Sequence, residues 1–230
     1  MEGSDSDTRR RAASDLVRGL LEHFAKDITQ ICSQYSNEYL ETYNRNKADN
    51  WKAKDTALYL ISSLSAKALT VQFGATQVNE YMDVLPIFGN HVLPDLQLPI
   101  DGAIHPILKV DAIKYVLLFR SQLTKEQLLE IIPFLISHLG SSNYVVHTYA
   151  AVCLERIFAI KSGSQFMFDS SNIASVAPQL LNRLFELIEA NSSPNKLGEN
   201  DYLMKGMDFY ADCYSDYESC NSTKIGRAHV

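Results

Sequence analysis

Apolar residues recur every three or four positions through the N-terminal part of the chain. From Thr8 to Ala25 the apolar stripe is formed by Ala12, Ala13, Leu16, Val17, Leu20, Leu21 and Phe24. Asp7 or Thr8 is available as the N-cap of this helix. A second stripe runs from Ile28 to Tyr43, separated from the first only by Lys26 and Asp27. Because the connection is so short, we predict two antiparallel neighbouring helices.

The same periodicity predicts three further helix pairs. Their predicted bounds are Trp51 to Val71 with Gln77 to Leu93, Ile107 to Ser121 with Lys125 to Leu139, and Ser142 to Ile160 with Ser171 to Ala190. Each second helix contains a proline inside or near its start, namely Pro86, Pro133 and Pro178, and a proline bends a helix by removing one backbone hydrogen bond. Pro94 is predicted to end the helix that precedes it, and Asp95 to His105 is predicted to be a loop, because it combines Pro, Gly and Asp.

The helix pairs also resemble one another in sequence. Related segments occur at residues 7–20, 51–57, 109–115 and 143–154, and each first helix carries an alanine that would let its partner approach closely: Ala13, Ala57, Ala112 and Ala150. The units are about 40 to 55 residues apart, which is typical of HEAT and armadillo repeats. We therefore predict an all-α fold, an α-α superhelix of the HEAT/armadillo-like solenoid type with about four helix-hairpin repeats and a frayed C-terminal tail.

Composition restricts the classes of partner. The formal net charge of -6 argues against a nucleic-acid partner, which would require clustered cations on one face. The one dense basic cluster is Arg9, Arg10 and Arg11, and by itself it indicates a solvated first helical turn paired with Asp5 or Asp7. The longest apolar run is too short to cross a bilayer and no leader-like segment follows Met1, so we expect a soluble intracellular protein without membrane insertion.

Motifs that would indicate chemistry do not occur in the sequence. It has no glycine-rich phosphate loop, HExxH pair or GxSxG elbow, and it therefore predicts no catalytic residue, no metal site and no cofactor. His138 and His147 are read as surface or capping residues, and Cys32 and Cys153 as reduced core thiols. The aromatic residues Trp51, Tyr35, Tyr39 and Tyr43 are expected to pack between repeats, although such residues also anchor interfaces.

Several long segments, taken in order, resemble one known family. They are Glu2 to Leu20 (EGSDSDTRRRAASDLVRGL), Asn50 to Asp55, His91 to Leu96, Leu108 to Tyr115, Val145 to Ala151 and Leu154 to Arg156. They are similar to the importin-alpha re-exporter, the cellular apoptosis susceptibility exportin family of the importin-beta superfamily. The resemblance covers Glu2 to about Lys205 and corresponds to a central fragment of that family's longer chain. Residues 1–7 are expected to form an acidic loop, 8–206 the solenoid, and 207–230 a non-native or disordered tail.

The resemblance implies a nuclear export receptor that performs no chemistry itself. Its expected partners are Ran-GTP and importin-alpha, it would shuttle between nucleus and cytoplasm, and it would return importin-alpha to the cytoplasm. The family's central insertion adjoins the residues before Ala12, so the resemblance indicates Asp5, Asp7, Arg9, Arg10 and Arg11 as partner-facing candidates. A generic HEAT-repeat interaction scaffold, such as a phosphatase or chromosome-organising subunit, is the alternative, and an enzyme ranks third.

Overall fold

The computed structural model describes residues 8–70 and 72–190. The chain divides into two compact units, the first extending to Leu123 and the second beginning at Thr124. Both are built mainly from helices, and the strands among the described residues form two separate two-stranded ladders.

Helix α1 (Arg9–Arg45) is interrupted at Phe24, where the backbone adopts the non-helical angles φ -131 and ψ 37. Its N-cap is Thr8, whose hydroxyl accepts a hydrogen bond from the Arg11 amide at 3.2 Å. Before the interruption, Arg10 contacts Asp55 and Ser14 contacts Ser63 of helix α2 (Trp51–Ser65). This half of α1 therefore runs parallel to α2. After the interruption, Tyr43 lies beneath Lys54 near the start of α2, and Thr29 contacts Asn79, which follows it. The two halves therefore run in opposite directions, as predicted, with the break at Phe24 rather than at Lys26.

The second predicted helix pair differs from the structure. Helix α2 ends at Ser65 and is followed by an antiparallel hairpin of β1 (Ala66–Thr70) and β2 (Gly74–Val78), so the predicted helix to Val71 is wrong beyond Ser65. Gly74 has φ +74, and a Cβ there would collide with the Leu118 carbonyl, so this turn requires glycine. Buried Ala66 and Ala75 hold the hairpin against the core instead of continuing a helix.

The predicted helix from Gln77 to Leu93 is likewise replaced by shorter elements. These are α3 (Val84–Ile87), a π-helix (Phe88–Val92) and α4 (Leu93–Gln97). Pro94 lies in the first turn of α4 and does not end a helix, because its missing amide is tolerated at a helix start. The predicted loop therefore begins after Gln97, not at Asp95.

Helix α5 (Pro106–Phe119) is the central element of the first unit. Eight of its residues are buried, including the large side chains of Tyr115 and Phe119. The β1–β2 hairpin is attached to the end of α5 by side chains that donate to hairpin carbonyls. Arg120 donates to the Gln72 carbonyl at 2.7 Å and Ser121 donates to the Ala75 carbonyl at 2.9 Å.

The second unit agrees with the periodicity of the sequence except in its last predicted helix, Ser171 to Ala190, where residues 174–176 form a turn between two helices. It contains α6 (Lys125–His138), α7 (Tyr144–Phe158), β3 (Lys161–Ser162), β4 (Gln165–Phe166), α8 (Ser170–Ile173) and α9 (Ala177–Ala190). Thr124 and Gln127 form a reciprocal capping box at the start of α6, and Asn143 caps α7. Pro133 lies inside α6 and Pro178 in the first turn of α9, both as predicted.

The alanines expected to permit close helix approach support the repeat pattern in three of four cases. Ala57, Ala112 and Ala150 are fully buried, whereas Ala13 is exposed, so the expectation is wrong for the first unit of the pattern. Of the cysteines, Cys153 is buried and Cys32 half-buried, both with their thiols outside any disulfide among the described residues, while Cys213 and Cys220 lie outside the described residues. None of the helices in residues 8–70 and 72–190 has the length and apolar character required to cross a bilayer.

Candidate functional site

The arginine cluster occupies the first turn of α1, and its three side chains have different surroundings. All three residues are exposed. Arg10 Nη2 lies 2.5 Å from Asp55 Oδ2, and its guanidinium stands 4.6 Å from the centre of the Tyr59 ring. Arg11 Nε lies 3.1 Å from Asp15, one helical turn further along. Within the described part of the chain, Arg9 has no ion-pair partner. Asp5 and Asp7 lie outside the described residues.

A groove opens beside this cluster, between the two halves of α1 and helix α2. Its volume is about 460 Å³. It is lined mainly by small and aromatic side chains, with Arg9 and Arg10 among its lining residues; the others are Ala13, Ser14, Val17, Tyr35, Tyr39, Thr56, Tyr59, Leu60 and Ser63. A cationic residue beside an apolar lining is suited to a partner segment that combines an acidic group with apolar side chains.

The groove also contains two tyrosines that the sequence assigned to packing. Tyr35 is 54% exposed and Tyr39 39% exposed, so the packing expectation is wrong for both. Tyr43, on the same stripe, is buried and confirms it. Trp51 is half-buried, and its ring stacks on that of His105 with centroids 3.7 Å apart. The periodicity of the sequence identified the apolar stripe that carries these tyrosines. It did not indicate which part of that stripe a neighbouring helix covers.

A buried ionic cluster lies on the opposite side of α2 and was not predicted. Lys54 Nζ is 2.7 Å from Asp95 Oδ2, and both side chains are almost fully buried. Nearby, Lys109 donates to the Leu98 carbonyl at 3.1 Å. Burial raises the pKa of Asp95, an effect that Lys54 partly opposes, and burial followed by Lys54 lowers the pKa of His91. Since these charges are paired inside the unit, they hold its helices together and are not exposed to a partner.

A second set of buried charges joins α2 to α5. Asp55 lies beside Asp111, and the pKa of Asp111 is raised to about 7, first by burial and then by the charge and hydrogen bond of Asp55. Lys114 and Arg10 oppose this rise. No local pattern indicated this pair, because its two members are far apart in the chain.

Metal chemistry finds no support among the described residues, where no group of three or more His, Cys, Asp and Glu side chains comes together. His138 is buried in α6, contrary to its predicted surface or capping role. His147 Nδ1 lies 3.1 Å from the Ser141 carbonyl, in the turn that caps α7.

Family models match the chain in two consecutive stretches. The model described as Cse1 matches residues 1–154, and the model described as CAS/CSE protein, C-terminus, matches residues 155–208. Curated relatives agree with this assignment. Exportin-2 of Oreochromis niloticus and of Danio rerio are each 48% identical over 208 residues, and Exportin-2 of Homo sapiens is 46% identical over the same length. These alignments cover 90% of this chain and 21% of each relative, so the chain spans about a fifth of their length.

A solved structure shows the same architecture. It is described as the exportin Cse1 in its cargo-free, cytoplasmic state. It matches with a TM-score of 0.79 at 36% sequence identity, and the match covers 93% of this chain and 22% of the solved chain. The predicted all-α, HEAT-repeat solenoid class is thereby confirmed. The family models, the curated relatives and the solved structure each match most of this chain, which therefore belongs to the Cse1 family.

Proposed function

We propose that this chain is a segment of a nuclear export receptor that binds Ran-GTP and importin-alpha and returns importin-alpha to the cytoplasm. The observation that carries the proposal is the consecutive match of two Cse1-family models over residues 1–154 and 155–208. A receptor of this kind shuttles between nucleus and cytoplasm and uses no catalytic residue of its own. Ran-GTP raises the affinity for importin-alpha, and importin-alpha raises the affinity for Ran-GTP by the same factor, because both ligands favour the same state of the solenoid.

The proposed contact surface is the start of α1, with Asp5, Asp7, Arg9, Arg10 and Arg11. The exposure of the three arginines and the adjacent groove support it. Arg9 and Arg11 are the stronger members of the set. Arg9 has no ion-pair partner among the described residues, and Arg11 is held only by an exposed pair one turn away, which is worth little in water. Arg10 would first have to leave Asp55.

The proposal is tested in a full-length Exportin-2 whose matched 208 residues are replaced by those of this chain. Binding of importin-alpha is measured with Ran locked in its GTP form and with Ran-GDP. We expect a stable complex only with the GTP form. Binding that is equal with both nucleotides, or absent with both, would contradict an exportin and favour the alternative of a general HEAT-repeat scaffold.

The surface is tested in the same protein by combining Arg9→Glu with Arg11→Glu. We expect about tenfold weaker ternary binding at low salt, and a smaller difference at high salt because exposed charges are screened. Lys26→Glu is the matched control, since Lys26 is exposed on the same helix but lies beyond the interruption at Phe24. Equal loss in both variants would assign the effect to overall charge and remove the arginines from the site.

A further inference from the structure

The groove between the two halves of α1 and helix α2 is held open by contacts of the chain itself. Its volume is about 460 Å³. Ser14 of α1 and Ser63 of α2 line it, and their buried hydroxyls are hydrogen-bonded at 2.9 Å. The Tyr59 hydroxyl donates to the Arg10 carbonyl at 3.2 Å, which joins the same two helices near the start of α1. A partner therefore meets a surface that is already ordered, and its binding does not have to order that surface first.

The groove is positively charged at one end. Arg9 and Arg10 line it there, and no carboxylate of the described residues lines it. Arg10 is paired with Asp55 at 2.5 Å, whereas Arg9 has no ion-pair partner within residues 8–70 and 72–190. An occupant that complements this charge carries a carboxylate beside Arg9.

The groove is apolar further along α1. Val17 lines it about two turns after Arg9, and the rise of an α-helix places these two residues about 12 Å apart. Leu60 of α2 and the ring of Tyr35 add apolar surface to the lining. A complementary occupant therefore combines a carboxylate with a large apolar side chain about 12 Å away, which is about four residues of extended chain.

Two tyrosine hydroxyls on the second half of α1 favour an occupant in extended conformation. Tyr35 and Tyr39 are exposed, and neither hydroxyl forms a hydrogen bond with the described residues. The two residues lie one turn apart, so about 6 Å separates them along the helix. In an extended chain, main-chain N–H and C=O groups on the same side recur about every 6.6 Å, which is close to this spacing. In a helical occupant these groups are already hydrogen-bonded to one another.

We propose that this groove is the docking site for an extended segment of a partner in the export complex. An acidic side chain of the segment pairs with Arg9, and a large apolar side chain about four residues away packs beside Val17. The hydroxyls of Tyr35 and Tyr39 hydrogen-bond to the main chain between these two anchors. Arg10 remains paired with Asp55 and keeps the first half of α1 in place beside α2.

The source of the docked segment rests on the proposed function, because the same end of α1 is proposed to contact the complex of Ran-GTP and importin-alpha. The chemistry of the segment does not rest on it, since that chemistry follows from the lining of the groove. The first experiment therefore uses the chain alone, and the second uses the complete receptor.

The first experiment selects random linear peptides, displayed on phage, for binding to the full chain. We expect the selected peptides to share an aspartate or glutamate and, about four positions away, a large apolar residue. Their affinity should fall about tenfold in Arg9→Glu and in Tyr39→Ala, and about threefold in Tyr39→Phe, which keeps the ring and removes the hydroxyl. Ile31→Ala is the matched control, because Ile31 is exposed on the same half of α1 but does not line the groove.

Two results of this selection would overturn the proposal. One is a failure to enrich peptides that share an acidic residue. The other is equal binding of the selected peptides to wild type, Arg9→Glu and Tyr39→Ala, which would place them outside the groove.

The second experiment adds a selected peptide to full-length Exportin-2 that carries this chain in place of its matched residues. We expect the peptide to bind this receptor and to compete with assembly of the complex with Ran-GTP and importin-alpha. A peptide that binds the chain but not the receptor would show that the receptor's own polypeptide covers the groove, and would overturn docking of a partner there. Assembly that is unchanged by saturating peptide would overturn it as well, while the proposed function stands. A receptor that binds the peptide but forms no complex would instead contradict the proposed function.

Discussion

Helix α5 and the first half of α1 both combine charged residues with apolar residues at helical spacing, yet the fold treats them in opposite ways. In α5, Lys109 is buried with the apolar residues around it and donates to the Leu98 carbonyl, and Asp111 is half-buried beside Asp55 of α2. In residues 9–23 of α1, only Ser14 and Leu21 are buried, and Leu16 is 64% exposed. Charge and apolar periodicity therefore do not separate the inside of this protein from its surface.

The same comparison separates structural charges from available ones. The buried Lys54–Asp95 ion pair maintains a junction between helices, and removing one member leaves the other charge buried without compensation. Arg9 and Arg11 lie in a solvated helical turn, where they can exchange water and weak local pairs for a partner. Substitutions on either side of this division test it.

Lys54→Met should destabilise the chain by about 3 to 5 kcal/mol at neutral pH, because it leaves the Asp95 carboxylate buried without its cation. The loss should be smaller at low pH, since burial already raises the pKa of Asp95 and its protonated form needs no cation. Urea unfolding at several pH values measures both effects. The control is Arg11→Met, which removes an exposed ion pair and should cost no more than about 1 kcal/mol. Equal losses would abolish the distinction between the two regions.

Gly74→Ala should destabilise the chain by about 2 to 3 kcal/mol. The left-handed backbone is unfavourable for alanine, and the new methyl group would also press against the Leu118 carbonyl at the end of α5. Gly102→Ala is the matched control, because Gly102 has φ +84 but no neighbour near its added Cβ. Gly102→Ala should lower the free energy of unfolding only by the cost of the left-handed backbone, about 1 to 2 kcal/mol. If thermal unfolding gave the same loss for both, the hairpin would not be packed against α5 as described.

Leu16→Ala should change stability by less than about 0.5 kcal/mol, since its side chain is mostly exposed and leaves no cavity. Leu21→Ala, in the same half of α1, should cost about 2 to 5 kcal/mol because Leu21 is buried. Comparing the two by chemical denaturation measures directly how much of this apolar stripe is covered. A large loss for Leu16→Ala would show that the α1 face is packed in solution.

The second unit shows how far local signals extend. The predicted helix that starts at Lys125 and its interior Pro133 are confirmed. Thr124 with Gln127 caps this helix and Asn143 caps the next one, and such caps, like helical periodicity, depend on residues only a few positions apart. In the first unit the same reasoning extended α2 through residues 66–70, which form a strand. There a hairpin is fixed by Gly74 and by Arg120 and Ser121, which are distant in sequence.

The candidate surface was predicted only in part. The arginine cluster was visible as a run of like charges, but its division into Arg10 held by Asp55 and Arg11 held by Asp15 was not. The exposure of Tyr35 and Tyr39 could not be predicted either, because a helical stripe predicts an apolar face without saying which neighbouring element covers it.

The helical class, most helix starts in the second unit and the family follow from the amino-acid sequence, since they depend on local spacing and on ordered segments. Which charges are buried, which tyrosines remain exposed and that Asp55 lies beside Asp111 follow from the packing of the helices. The two sets differ in the range of the interactions that decide them. Capping and periodicity act over one or two helical turns, whereas burial and the pairing of charges depend on which distant helices pack against each other.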